Sequence, residues 1–423
     1  MENQNENKFH KVMTRIVFGI MIAFFVSIIV CFVAIKLGAE DLFQMDHDIE
    51  TKVYEITEND GNLDKLYKGY SNAVYAGKNY VDAYSNDLLL GRTTFVENAV
   101  RYKNLIGWKI YAPGEYNSIL YLDNGYLASA NGKETKEDIQ KIATKIEGLR
   151  ATAENAGAEF LYIQTPGNLD KYADKGLNEV KDFANYNTDL LISNLRSSGI
   201  NCYDLRDTVH EELEDFHSLF YKTDHHWKQE TALWATQEIA AYLNENYGLE
   251  LDLAKYEPEN FREEVLEDYY LGSLGKRATL AAVEPDDFTL LYPKFETDIS
   301  FKTSKGIDVR GTFDVTYNRE QIDAEKIYKR ECYLGLLSFE GTGLSSVTNN
   351  QPENDTYILI VGDSMMIPVT SFLALDCEKV ELIDPRYFEG SIKEYIREQQ
   401  PDMVINTYST TIIQDYYPIF DFE

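Results

Sequence analysis

The chain contains 423 residues, of which 44% are hydrophobic and 26% are charged, so it can bury one large core or two smaller ones and is not compositionally disordered. Its 71 acidic residues outnumber 40 basic ones and give a formal net charge of −31, without a basic block, which excludes nucleic acid as a partner. The same charge repels polyanions, so a polysaccharide substrate is expected to be neutral or weakly charged, or to bind in a locally basic cleft.

The N-terminal segment predicts a membrane anchor. Residues 16–35 carry no formal charge and are long enough to cross the hydrocarbon core of a bilayer as a helix. Basic residues precede this segment and acidic residues follow it, so the positive-inside rule places residues 1–15 in the cytoplasm. A cleaved signal peptide is the alternative, but its apolar region would be shorter and would end in small residues. We therefore expect an anchor in the membrane lipid over residues 16–37, with the remaining chain outside the cell.

The pattern after the anchor predicts an α/β domain. Residues 38–100 are expected to form a membrane-proximal spacer with one helix, and regular order begins near residue 101. From there apolar strands alternate with helices of period 3.6, which is typical of a parallel sheet covered by helices on both faces. The predicted strands are residues 160–163, 202–205, 357–361, 380–383 and 403–405. A predicted helix at residues 188–196 separates the first two strands, and helices at residues 366–375 and 392–398 separate the last three.

One region interrupts this alternation. Within residues 250–350, the segments 288–293 and 299–301 read as antiparallel β structure. We expect either a β-rich insertion that walls a cleft or a small subdomain.

A serine stands where such sheets display functional groups. Gly362-Asp363-Ser364 follows an apolar strand and precedes a predicted helix, so the chain turns at the Ser364 hydroxyl, beyond the carboxyl end of the strand. The unpaired N–H groups of a helix N-terminus could hold the negative oxygen of a tetrahedral intermediate. The alternative is that Asp363 or Ser364 only caps the helix.

The segment Asp224-His225-His226-Trp227 supplies the other groups that acyl transfer needs. In an extended loop Asp224 and His226 would point the same way, so the carboxylate could orient an imidazole that takes the proton of Ser364. His225 would point elsewhere and have a structural role. A metal site and a helix cap are the alternatives, but no further His or carboxylate ligand stands close by, so no metal is expected.

Residues 221–227 resemble the signature that names the bacterial DHHW protein family. That family is similar to the SGNH-hydrolase-like domains of alginate O-acetyltransferases, which act outside the cytoplasmic membrane on exopolysaccharide. The likeness extends to residues 362–364 and covers about residues 100–423. In those relatives the Asp-x-His pair precedes the serine, a circular permutation of the order in ordinary SGNH esterases, and this chain has the permuted order.

The resemblance implies an SGNH-hydrolase-like, flavodoxin-like fold for residues 101–423. It also implies a catalytic triad and a set of supporting residues. The triad would be Ser364, His226 and Asp224; the supporting residues would be His225, Trp227 and Asp363; and the candidate oxyanion or substrate contacts, which follow predicted strands, are Asn406, Tyr408 and Gly390.

The leading hypothesis is a membrane-anchored O-acetyltransferase that acts on a cell-surface or secreted polysaccharide. It requires no cofactor, but acetyl-CoA is not available outside the cell, so the family analogy implies an integral-membrane partner that donates acetyl. An acetyl esterase of the same fold and a noncatalytic glycan-binding or assembly protein are the alternatives.

Overall fold

An eight-stranded mixed sheet organises the protein. The computed structural model describes residues 92–107, 109, 118–172, 181–213, 215–413 and 418–423. The strands are β1 (Ser118–Tyr121), β2 (Leu127–Ala130), β3 (Glu159–Thr165), β4 (Cys202–Asp204), β5 (Phe261–Tyr270), β6 (Asp286–Pro293), β7 (Ile299–Thr303), β8 (Asp308–Gly311), β9 (Leu344–Asn349), β10 (Asn354–Gly362), β11 (Cys377–Ile383) and β12 (Met403–Ser409). The helices are α1 (Arg92–Leu105), α2 (Lys136–Asn155), α3 (Ala184–Ser197), α4 (Leu205–Glu212), α5 (Gln229–Tyr247), α6 (Ser273–Ala278), α7 (Arg319–Ile322), α8 (Ile367–Leu373) and α9 (Ile392–Gln399).

The sheet has the strand order β4-β3-β12-β10-β11-β9-β7-β8. The first five strands are parallel and correspond to the five strands predicted from the alternating pattern. The predicted parallel sheet is one part of a mixed sheet, because β9, β7 and β8 extend it in antiparallel order. A tight turn at residues 304–307 joins β7 to β8, and a connection this short cannot make a parallel crossover.

The predicted insertion is therefore only partly separate from the sheet. β5 and β6 pair with each other as a two-stranded ribbon, whereas β7, β8 and β9 add to the main sheet beyond β11.

Helices cover both faces of the parallel part. Along β10, Ile358 and Ile360 face one apolar core together with side chains of α5 and α8, while Leu359 and Val361 face a second core with side chains of α2, α3 and α9. All four β10 side chains are fully buried, which explains why this strand reads as a continuous apolar run.

The predicted anchor over residues 16–37 and most of the predicted spacer over residues 38–100 lie outside the described residues. Across the part of the chain that is described, no helix combines the length and the apolar character that a bilayer crossing requires.

Candidate active site

Ser364 lies at the carboxyl end of β10, in a tight turn that leads into α8. Just before this turn, Gly362 lets β10 lie close to β12, because a Cβ atom at that position would lie 2.5 Å from the carbonyl oxygen of Thr407. Asp363 then fixes the turn: its carboxylate accepts the Met365 N–H at 3.0 Å and the Ser409 N–H at 2.7 Å. The capping role thus belongs to Asp363, which leaves the Ser364 hydroxyl available and partly exposed.

The Asp224–Trp227 segment precedes α5, and the backbone just before it donates hydrogen bonds to a buried carboxylate. Asp286 of β6 accepts the backbone N–H groups of Lys222 and Thr223 at 2.8 and 2.9 Å and the Thr223 hydroxyl at 2.6 Å. Burial raises the pKa of Asp286 despite these bonds. Because three donors converge on one side chain, the backbone that leads into Asp224 is fixed in one position.

Trp227 joins the two sequence motifs. Its indole N–H donates to the carbonyl oxygen of Met365 at 2.9 Å, and the Tyr333 hydroxyl donates to the same oxygen at 3.2 Å. The Trp227 side chain is fully buried. The histidine segment and the serine turn are therefore bound to each other directly, although they are far apart in the sequence.

His226 and Ser364 are in hydrogen-bond contact. His226 Nε2 lies 2.6 Å from Ser364 Oγ, and the ring stacks on Tyr333 with 3.9 Å between centroids. On the far side of the ring, Nδ1 lies 3.2 Å from Oδ2 of Asp224, which is ion-pair range, but the two atoms are not aligned as a hydrogen bond. The arrangement has the order of groups that nucleophilic acyl transfer uses: hydroxyl, base and orienting carboxylate.

The Asp224 carboxylate is buried, at 1% exposure, and surrounded by donors. Oδ1 accepts the His225 backbone N–H at 2.7 Å and the Ser273 hydroxyl at 2.8 Å, and Oδ2 accepts the Tyr270 hydroxyl. Burial alone would raise the pKa of Asp224, but the neighbouring imidazoles of His226 and His225 outweigh it and hold that pKa well below its usual range. Asp224 therefore stays ionised at neutral pH.

His225 does not point away from the site, and the prediction that it would is wrong. Its Nδ1 lies 2.9 Å from Oδ1 of Asp224, and its ring packs on the His226 ring with 3.9 Å between centroids. The prediction assumed an extended loop, whereas the segment forms a turn in which neighbouring side chains share one side. Both histidines consequently contact the same carboxylate.

The pKa values of the two imidazoles are shifted in opposite directions. Burial lowers the pKa of His226, and the charge of His225 lowers it further against the opposing effect of Asp224. Burial also lowers the pKa of His225, but the charge and hydrogen bond of Asp224 outweigh it and raise that pKa overall. His226 is thus the unprotonated member of the pair, as a general base must be.

The region read as an insertion supplies side chains that the sequence analysis missed. Tyr270 ends β5 and Ser273 begins α6, and both donate to Asp224, while Tyr333 supports the His226 ring. Gly272 makes this approach possible, because a Cβ atom there would lie 2.4 Å from Cβ of Asp224. The small residues after β5 were the available signal, since they permit close packing against another segment.

Two of the three proposed oxyanion contacts are misplaced. Asn406 and Tyr408 are fully buried within β12, where Asn406 Nδ2 donates to the Val361 carbonyl and the Tyr408 hydroxyl donates to the Ile419 carbonyl. They were expected to follow the last strand, but β12 continues to Ser409. Gly390 is exposed in the connection between β11 and α9 and stays a prediction.

Asp224, His225 and His226 also have ligand atoms within 4.8 Å of one another, as a metal site would require. The hydroxyls of Tyr270 and Ser273 donate to the two carboxylate oxygens, however, and His226 Nε2 contacts Ser364. These bonds, together with the ion-pair contact between Asp224 and His226, account for the arrangement as a series of polar contacts that ends at the serine hydroxyl.

Part of the chain resembles a known family of domains. The sequence model of the SGNH hydrolase-like domain of acetyltransferase AlgX matches residues 120–300, which include Asp224 and His226 and end before Ser364. The chain resembles the AlgX SGNH-like family. A comparison with curated protein sequences finds no match.

Two solved structures share the fold of this chain. PatB1 from Bacillus cereus, determined with a sulfonyl adduct, has a TM-score of 0.60 at 18% identity and covers 73% of this chain and 98% of its own. A DHHW family protein from Eubacterium siraeum DSM 15702 has a TM-score of 0.53 at 14% identity, with 72% and 93% covered. The resemblance inferred from the sequence is confirmed, and the fold is of the SGNH-hydrolase-like α/β type.

Proposed function

We propose that the protein is a membrane-anchored, extracytoplasmic O-acetyltransferase that carries an acetyl group on Ser364 and passes it to a hydroxyl of a cell-surface or secreted polysaccharide. The observation that carries this proposal is the 2.6 Å contact between His226 Nε2 and Ser364 Oγ, with ionised Asp224 behind the imidazole. The match to the SGNH hydrolase-like domain of acetyltransferase AlgX favours acetyl transfer over other acyl chemistry.

In the first half-reaction, Ser364 Oγ attacks the carbonyl carbon of the acetyl donor while His226 Nε2 takes the hydroxyl proton. The resulting imidazolium is stabilised by the Asp224 carboxylate. When the tetrahedral intermediate collapses, the bond to the donor oxygen breaks, and His226 returns the proton to that leaving group. The product is an acetyl ester on Ser364.

In the second half-reaction, neutral His226 removes the proton from an acceptor hydroxyl as its oxygen attacks the acetyl-serine. Collapse of this second intermediate releases the acetylated sugar and returns the proton to Ser364. Water in place of the sugar hydroxyl gives an acetyl esterase by the same steps. The two functions therefore differ only in the acceptor that the site positions.

A negative oxygen forms in both intermediates and needs donors. The Met365 N–H is not one of them, because it donates to Asp363. The Ser364 N–H is the first of the turn and has no helical acceptor, so it is the best-placed backbone donor. Gly390 is a second candidate.

The donor and the acceptor remain proposals of chemical class. We expect an integral-membrane partner to deliver acetyl, because no acyl-CoA pool exists outside the cell. With a net charge of −31, the chain favours an acceptor that is neutral or weakly charged. No cofactor enters the steps above.

The test is to incubate the protein with a chromogenic acetyl ester, with and without a neutral oligosaccharide acceptor, and to measure released chromophore and acetylated sugar. We expect acetylated sugar from the native chain and none from Ser364→Ala. Ser371→Ala is the matched control, because Ser371 is buried in α8 and its hydroxyl has no hydrogen-bond partner among the described residues. Chromophore without acetylated sugar would indicate an esterase, and unchanged turnover in Ser364→Ala would remove Ser364 from the mechanism.

A further inference from the structure

One buried carboxylate serves two imidazoles in this site. Oδ1 of Asp224 lies 2.9 Å from His225 Nδ1, and Oδ2 lies 3.2 Å from His226 Nδ1. A serine nucleophile with one general base needs only one of these histidines. The second histidine must therefore have another effect, because its ring contacts the ring of the general base.

The surroundings of His225 favour its protonated form. The charged groups that act on it are Asp224 in its own segment, Asp363 from the turn after β10, and Arg386 from the connection after β11. The two carboxylates favour the cation and Arg386 opposes it. Arg386 is itself held by Asp384 through bonds of 2.9 and 2.6 Å, so its charge is largely offset.

The position of His225 also differs from that of His226. His225 is 31% exposed, so its ring reaches solvent and can exchange protons with it, whereas His226 is only 5% exposed. The Ser273 hydroxyl lies 3.2 Å from His225 Nδ1 and donates to Asp224, which ties α6 to both groups. His225 is thus an accessible cation on the outer side of the pair.

A cation at His225 opposes a second one at His226. The ring centroids are 3.9 Å apart, and two like charges at this distance disfavour each other strongly at a partly buried site. His225 also satisfies one oxygen of the carboxylate that would otherwise stabilise protonated His226 alone. Both effects act in the same direction.

We propose that His225 is a positioning residue that tunes the general base: its imidazolium shares the Asp224 carboxylate and keeps His226 unprotonated in a more acidic medium than a triad with one histidine would allow. The functional consequence of this inference rests on the proposed function, because the transfer requires an unprotonated His226. The enzyme would then retain its base as the medium outside the cell becomes acidic.

The test reads the two rings directly by NMR titration of the histidine ring protons, assigned by the signals that disappear in His225→Asn and His226→Gln. In the native protein we expect His225 to titrate at higher pH than His226. In His225→Asn the midpoint of His226 should rise by about one pH unit, because a like charge has been removed. His225→Lys restores a cation and should keep the midpoint closer to the native value.

The acid limb of the transfer rate against pH should move in the same direction and by the same amount as the NMR midpoint in each variant. A His226 midpoint that stays or falls in His225→Asn, or a native His226 that titrates above His225, would overturn the inference. If His225→Asn does not fold, His225→Lys removes the same ring signal and assigns it, and the order of midpoints in the native protein then decides. Because NMR does not require turnover, a shifted midpoint in a protein without acetyl transfer or hydrolysis would refute the proposed function and leave the coupling of the two histidines intact.

Discussion

Replacing Tyr270 by phenylalanine removes a single hydroxyl that donates to the buried Asp224 carboxylate. Tyr270 is 3% exposed, so water cannot take the place of the lost donor without rearrangement. A hydrogen bond to a charged group contributes about 1.5–3 kcal/mol, and we expect Tyr270→Phe to lower the free energy of unfolding by that amount at neutral pH. Urea denaturation followed by fluorescence measures the loss.

Tyr221→Phe is the matched control. Tyr221 packs against Tyr270 with 5.0 Å between ring centroids and is equally buried, but its hydroxyl has no hydrogen-bond partner within the described part of the chain. Removing that hydroxyl should leave the free energy of unfolding unchanged or slightly increased. The two variants lose the same atom from the same cluster, so their difference isolates the bond to the carboxylate.

The pH dependence of this difference has a definite sign. The pKa of Asp224 is lowered in the folded protein, so the stability that its charge contributes is present above the unfolded value of about 4 and is lost as the pH falls through the lower folded value. The gap between Tyr270→Phe and Tyr221→Phe should therefore persist from pH 5 to 8 and narrow only in strong acid. Equal stability of the two variants at neutral pH, or a gap that widens in acid, would refute this account of Asp224.

Three further predictions follow from the site. Gly272→Ala should lower acetyl transfer at least tenfold and destabilise the fold by about 1–3 kcal/mol, because its Cβ would overlap the segment that carries Asp224. The control Gly148→Ala in α2 would place its Cβ 3.5 Å from the flexible end of the Lys393 side chain and should instead stabilise the fold by about 0.5–1 kcal/mol in thermal unfolding. Trp227→Phe loses the hydrogen bond to Met365 and should reduce kcat more than it raises KM in steady-state assays. The substitution weakens the link between the two motifs and does not remove a substrate contact. The acid limb of kcat/KM should have a midpoint below the usual imidazole value of about 6.5, because the pKa of His226 is lowered and its unprotonated form is the active one; a midpoint above 7 would contradict the assignment.

The parallel half of the sheet could be predicted because its strands are buried on both faces. Runs such as residues 357–361 are apolar throughout, and helices of clear period separate them, so type and order follow from pattern alone. The contact between His226 and Ser364 could be predicted from the chemistry of the side chains, because a base, a carboxylate and a serine at a strand end suggest one site. Periodicity alone contained no such information.

The antiparallel half and the supporting residues could not be predicted in the same way. Whether β9 pairs with β10, its neighbour in sequence, or with β11 is decided by which sheet edge is free, which is a property of the assembled fold. Asn406 and Tyr408 were misplaced because polar residues usually end a strand, whereas here they are buried with partners inside β12. His225 was misplaced because alternation holds for extended chain and the motif is a turn.

The most direct test of the central claim is to trap the acyl-enzyme. The protein is mixed with a chromogenic acetyl ester, quenched in acid within the first turnovers, digested and examined by mass spectrometry. We expect an acetyl group on Ser364 that accumulates in the native protein, disappears on addition of a sugar acceptor and is absent from His226→Gln. An acetyl group on a different residue, or turnover that proceeds at the native rate without any acetyl-Ser364, would contradict it.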